Sequence, residues 1–247
     1  MKKSFNIVSI FIFTLLFSFN INAKNKAKKS KIDIYLKSYE LYQNDSFELA
    51  IKYSTESIKS KKKSDCIACY LTRATCNYVL NNFQAAKNDF EYINKIDKKH
   101  SFLLKISECN IRLGLLNTLN NDLNFIAKTS KSVYERAISY AYLKNIDSVT
   151  SYIKTLDSIL IKAHKDQNIS TTQNNIEDNN IYIRKFILYN ILNKKELALQ
   201  NLDLALKDNY KHFRYLEICN DFSEIRKDER FNTLIKKYKE LQQSNKS

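Results

Sequence analysis

Residues Tyr70 to Asp97 read YLTRATCNYVLNNFQAAKNDFEYINKID, and the fold is decided here. In the second half Phe83, Ala86, Phe90 and Ile93 fall at steps of three, four and three, the stripe that one face of an α-helix presents. In the first half Tyr70, Ala74 and Tyr78 recur at every fourth residue, which sets a small side chain between two large ones and lets a partner helix approach closely. Asn81-Asn82 separates the halves. Asparagine tolerates the left-handed backbone that ends a helix, so the stretch reads as a helical hairpin with a tight turn.

Composition extends that reading to the whole chain. Its 247 residues include a single glycine, Gly114, and neither proline nor tryptophan, while 44% are hydrophobic. Phosphate-cradling loops, dinucleotide-binding turns and strained nucleophile turns need several glycines, because the backbone must reach positive φ or come very close to a ligand. Sandwiches and barrels use glycine and proline at their many turns. What remains is an all-α chain long enough for a continuous core.

Further hairpins flank the first. Ser46 to Ile58 repeats the second-helix pattern, with Phe47 and Ala50 placed 36 residues before Phe83 and Ala86, and its partner helix is expected over about Ile32 to Tyr42. Downstream, Phe102–Leu116 with Leu119–Lys128 forms a third pair in which no alanine anchors the register. Tyr134–Leu143 with Ile146–Leu160 forms a fourth, using Ala137 and Val149 as its packing residues. Residues 165–180 are a polar stretch expected to be a mobile loop. A last pair follows, Ile181–Leu192 and Lys194–Leu206, with Ala198, Leu202 and Ala205 on one face and Asn209 as a left-handed cap.

The central hairpin resembles a tetratricopeptide repeat, whose period is 34 residues. Tyr70, Ala74, Leu80, Phe83, Ala86, Phe90 and Asp97 match that family's pattern, and Lys98 stands where proline is common. The tail from Ala205 to Tyr238 resembles the segment that closes many bacterial arrays of this family, with Asn209-Tyr210 for the usual Gly-Tyr and the run Ile225 to Phe231. The resemblance implies an α-solenoid of stacked antiparallel helix pairs, a right-handed superhelix closed by a C-terminal helical cap. Phe222, Ile225, Phe231 and Leu234 are expected to cover the last apolar face, which a repeat array cannot leave in water. It also implies a partner-binding inner surface, onto which Tyr35, Tyr39, Tyr42, Tyr78, Tyr134 and Tyr142 map, beside Leu71, Thr75, Ile138, Ile183, Ile187 and Asn190. Tyrosine suits contact, combining large area with a polar tip. Tyr35, Tyr39, Leu71 and Thr75 stand where some members grip a C-terminal carboxylate with Lys and Asn, so recognition of a free C-terminus is not expected.

Residues 1–23 carry the three parts of a secretory signal: Lys2-Lys3, the apolar run Ile7 to Phe19, and Asn20-Ile21-Asn22-Ala23. The apolar run spans 13 residues, against about 20 for a spanning helix. Cleavage after Ala23, a basic N-terminus over 24–31 and a periplasmic or secreted location are expected, with 241–247 a flexible tail. The formal net charge of +15 is dispersed, with short runs at Lys24–Lys31 and Lys59–Lys63. It reads as solvated surface ahead of an anionic lipid or cell-wall polymer site, and nucleic acid is not expected as a partner.

Chemistry-bearing groups are sparse. Cys66-x-x-Cys69 sits where a helix starts, next to Tyr70 rather than the histidine that haem attachment needs. Together with Cys76 and Cys109 it leaves three readings open: idle thiols, a structural disulfide, or a redox or metal site. His100, His164 and His212 have no second ligand at helical spacing, so neither a metal nor a cofactor is expected. Asp45 with Glu48 reads as capping and solvation. The expected role is a non-catalytic scaffold or adaptor for another envelope or secreted protein. The rival readings are a thiol-dependent protein using Cys66 and Cys69, and a binder of anionic surfaces.

Overall fold

A computed structural model describes residues 36–60, 67–96, 102–165 and 180–244, and these residues are all-α, without strand. In chain order the helices are α1 (36–43), α2 (Phe47–Ser60), α3 (Ile67–Val79), α4 (Phe83–Ile96), α5 (Leu103–Arg112), α6 (Leu119–Thr129), α7 (Val133–Tyr142), α8 (Ile146–Lys165), α9 (Ile181–Ile191), α10 (Lys195–Lys207), α11 (Phe213–Ile218) and α12 (Glu229–Ser244). Two 3-10 turns, Asn220–Phe222 and Ile225–Lys227, precede α12. Consecutive helices pack on one another, the organisation of a helical repeat array. Among the described residues no helix is long and apolar enough to cross a membrane.

One turn is used over and over. Asp45, Asn81, Gly114, Lys144, Asn193 and Asn209 all have positive φ, between 56° and 72°. In each case the next residue's N–H donates to the carbonyl five positions back: Ser46 to Leu41, Asn82 to Asn77 and Leu115 to Asn110 at 2.8 Å, Asn145 to Tyr140 at 2.9 Å, Lys194 to Tyr189 at 2.8 Å, and Tyr210 to Ala205 at 3.0 Å. This helix-ending motif satisfies carbonyls that would otherwise be orphaned.

The turn also fixes the packing register. Seven residues before it stand Ser38, Ala74, Ser107 and Ala137, all buried, and five after it stand Ala50, Ala86, Val149 and Ala198, each 0% exposed. Small side chains at both places allow close approach of the two helices. Ser107 therefore supplies the anchor for the third pair that no alanine provides. In the last pair Phe186 fills the first-helix place. In the third, α6 starts late, and Leu123 and Ala127 are its buried residues.

Lysine is the poorest choice among the six turn residues, since a β-carbon in the left-handed region costs about 1–2 kcal/mol. Lys144→Gly is expected to stabilise the chain by about 0.5–1 kcal/mol, less a small amount for the exposed bond from Lys144 Nζ to the Ile191 carbonyl at 3.1 Å. Gly114→Ala should do the reverse, although its added methyl would meet nothing within 4 Å. Thermal melts of the two variants test this, and shifts of the same sign would refute it.

The described residues form two compact units. The first takes residues up to Leu123 together with 212–223, and the second takes 124–211 together with residues from Glu224 onward. In the first unit α2 packs on α3, α3 on α4, and α4 on α5. A polar tie joins three of its helices: Arg73 on α3 donates from Nε and Nη2 to both oxygens of the buried Asp89 on α4, at 2.8 and 2.7 Å, and from Nη1 to Thr55 on α2 at 3.3 Å. Phe90 stacks on Phe102 at 6.1 Å between centroids.

In the second unit α7 pairs with α8 and α9 with α10, while α7 also touches α9. Asn180 caps α9 by accepting from Ile183 N–H at 3.0 Å. The terminal helix α12 lies on α10 and buries Phe231, Ile235 and Tyr238. The expected cover is corrected in two respects. Leu234 is only half-buried, because the inward stripe runs at steps of four and three from Phe231, and Phe222 belongs to the first unit. Two helices run longer than the sequence indicates. α8 continues to Lys165 rather than ending at Leu160, and α12 continues to Ser244, into the segment assigned to the flexible tail. Most of the expected mobile loop lies outside the described residues.

Candidate functional site

The first unit holds a segment distant in sequence, 212–223, along the turn edge of its hairpins. At the first turn the carboxylate of Asp45 lies 2.9 Å from His212 Nδ1 and accepts the Arg214 N–H at 3.1 Å. Arg214 also donates to the Asp45 carbonyl at 2.7 Å, forks onto both oxygens of Glu48, and lies 5.4 Å from the centre of the Phe47 ring. That hydrogen-bonded fork holds the Glu48 carboxyl below its usual range. Asp45 and Glu48 are thus corrected from caps to acceptors that hold His212 and Arg214.

At the second turn Asn81 does the same work with an amide. Its Oδ1 accepts the Asn220 N–H at 2.9 Å, and its Nδ2 donates to the Ile218 carbonyl at 3.1 Å. Asp45 and Asn81 occupy the same place in successive hairpins, and each accepts a main-chain N–H of one segment. The left-handed turn explains this: it projects a short polar side chain off the helix end.

Gly114 offers no side chain at the third turn, and Arg112 two residues earlier takes over. Its Nε and Nη2 donate to Asp221 Oδ1 at 2.9 and 2.6 Å, while the Tyr78 hydroxyl meets both Asp221 oxygens at 2.9 and 3.0 Å. Lys105 Nζ stands 5.7 Å above the Tyr78 ring and donates to Glu108 at 2.8 Å. Between these polar anchors Phe213, Leu216, Cys219 and Phe222 are buried at steps of three, one apolar edge of the segment. Phe222 meets Tyr215 edge-on at 5.3 Å.

A related fork lies in the second unit. Glu48 stands three residues after the turn residue Asp45, and Glu196 three after Asn193; Arg230 forks onto Glu196 at 2.7 and 2.8 Å while also binding Asp228. Both forks are exposed, and such pairs contribute position more than stability.

Glu108 is a buried acid of the first unit. Burial pushes its carboxyl above the ordinary glutamate range, opposed by Lys105 and Arg112 and reinforced by Asp221. The folded chain then keeps this proton at pH values where the unfolded chain has released it. Its stabilising contribution is complete below the ordinary value of 4.5 and is lost as pH rises through the folded value. Glu108→Gln retains an oxygen for Lys105 and carries no charge. It is expected to raise the melting temperature near neutral pH and to leave it almost unchanged at about pH 4; an equal effect at both would contradict this origin.

Tyr35 and Cys66 lie outside the described residues. Tyr42 and Tyr78 are buried, Tyr78 by the contact with Asp221, whereas Tyr39, Tyr134 and Tyr142 are half-buried. Tyr134 sits under Arg184 at 4.8 Å. Leu71, Ile138 and Ile183 are buried packing residues, Thr75 returns its hydroxyl to the Leu71 carbonyl at 2.9 Å, and Ile187 and Asn190 are half-buried. Cys69, Cys76, Cys109 and Cys219 are buried thiols. Cys69 Sγ donates to Ser57 Oγ at 3.2 Å, and Cys76 and Cys109 hold equivalent places five residues before their turns. Burial pushes the Cys109 thiol up to about 12 and raises Cys219 as well. A thiol so placed packs as a small hydrophobe and yields little thiolate.

Sequence reasoning missed Arg112, Arg214 and Asp221, because an ion pair across more than 100 residues leaves no local periodicity.

Fold and site define a class: an all-α protein of helical hairpins, in one unit of which the hairpin edge holds a distant segment of the same chain. No protein-family model matches the chain, and comparison with curated proteins and with solved structures finds no match.

Proposed function

We propose that the chain is a non-catalytic interaction scaffold or adaptor of the tetratricopeptide type, working in the cell envelope or outside the cell. The observation that carries the reading is the pair Asp45 and Asn81, repeat-equivalent side chains that each bind main-chain groups of a non-contiguous segment. A surface that recognises backbone in register with a repeat is suited to binding other polypeptides. Buried, high-pKa thiols at Cys109 and Cys219 favour packing over thiol chemistry. The leader pattern of residues 1–23 supports export.

Expression with the native leader, followed by N-terminal sequencing, should return a chain beginning at Lys24. Crosslinking in the intact envelope followed by affinity capture should then recover a specific protein. Recovery of none would count against the scaffold role.

A further inference from the structure

We infer that the edge bearing Asp45, Tyr78, Asn81 and Arg112 is a binding site for a short helical segment of a partner protein, and that residues 212–223 occupy it as a built-in competitor. The inference rests on the proposed interaction role and names its ligand class. The occupant in place defines the chemistry: a cation at one end for Asp45 and Glu48, a carboxylate seven residues later for Arg112 and Tyr78, and apolar side chains at every third position between.

Three features make this edge a recognition surface rather than ordinary core. The contacts of Asp45 Oδ2 and of both Asn81 amide atoms go to main-chain groups, which any segment of the same backbone shape offers. The end contacts are charge-assisted and of opposite sign, so they fix the polarity of whatever binds. Asp45 and Asn81 stand on turns locked by their own backbone hydrogen bonds, and Tyr78 and Arg112 stand on helices, so the receiving groups need little ordering to bind. The tethered segment competes at the high effective concentration of an intramolecular ligand. A partner segment gains access when that tether is weakened or outmatched.

The test uses the full chain and a fluorescein-labelled peptide with the sequence of residues 212–223, HFRYLEICNDFS, under reductant. Fluorescence anisotropy compares the wild-type chain with Asp221→Asn, which frees the arginine and tyrosine from the internal carboxylate while keeping its shape. The variant is expected to bind the peptide about tenfold or more tightly than wild type, and a peptide carrying the same Asp to Asn change should lose about tenfold in return. Arg214→Ala, at the exposed end of the segment, should shift affinity in the same direction, which keeps the test valid if circular dichroism finds Asp221→Asn unfolded. A peptide that binds none of the chains, or binds all without regard to its acid, overturns the inference. In that event envelope capture of a specific protein would still support the scaffold role at another surface.

Discussion

Arg73→Met is expected to destabilise the first unit by about 3–5 kcal/mol, because it leaves a buried carboxylate without its cation. Asp89 is 6% exposed and receives two of the three hydrogen bonds that Arg73 makes, the third reaching Thr55. One guanidinium thereby fastens α2, α3 and α4. Methionine keeps an apolar stem and drops the guanidinium, which lies 5.3 Å from the centre of the Tyr70 ring. Replacing both partners, Arg73→Met with Asp89→Leu, should recover most of the loss, since an apolar pair of similar volume removes the desolvation penalty along with the attraction. Denaturant titrations of the single and double variants decide it. A double variant as unstable as the single one would mean that the helices are held by the fork itself.

Phe231→Ala should cost a similar amount, about 3–5 kcal/mol, for a different reason. Phe231 is 0% exposed and begins the stripe that α12 lays on α10. Removing its ring opens a cavity where the terminal helix meets α10. Amide hydrogen exchange in α10 and α12 should accelerate together with the loss in thermal stability. Unchanged exchange with a lowered melting temperature would point to damage elsewhere. The Arg230 fork on Glu196 lies on the same interface, but its exposure makes it secondary, whereas the bond from Tyr238 to Asp203 at 2.8 Å is part-buried.

How far the sequence disclosed this molecule depended on the range of the interactions. The stripe Ala86, Phe90 and Ile93 is buried as its spacing requires, and Asn81 and Asn209 carry the left-handed backbone expected of them. Local periodicity and turn chemistry were therefore readable. Substitutions that preserve size but change residue type hid other parts: Ser107 stands in for an alanine, and Lys144 occupies a turn position that usually belongs to Gly or Asn. The site was the least legible. Tyr78 could be singled out as an aromatic on a helix face, yet the acid that engages it lies 143 residues away. Nothing in the neighbourhood of either residue marks the other.

The placement of 212–223 bears on how the molecule is made. Asp45 waits for a partner 169 positions later in the chain, which at about 5–20 residues per second of synthesis is roughly 10–30 s after it emerges. Throughout that interval the turn edge at Asp45 and Asn81 lacks the segment whose main-chain groups it binds. A chain truncated before His212 would keep the edge of Asp45, Asn81 and Arg112 without its internal occupant.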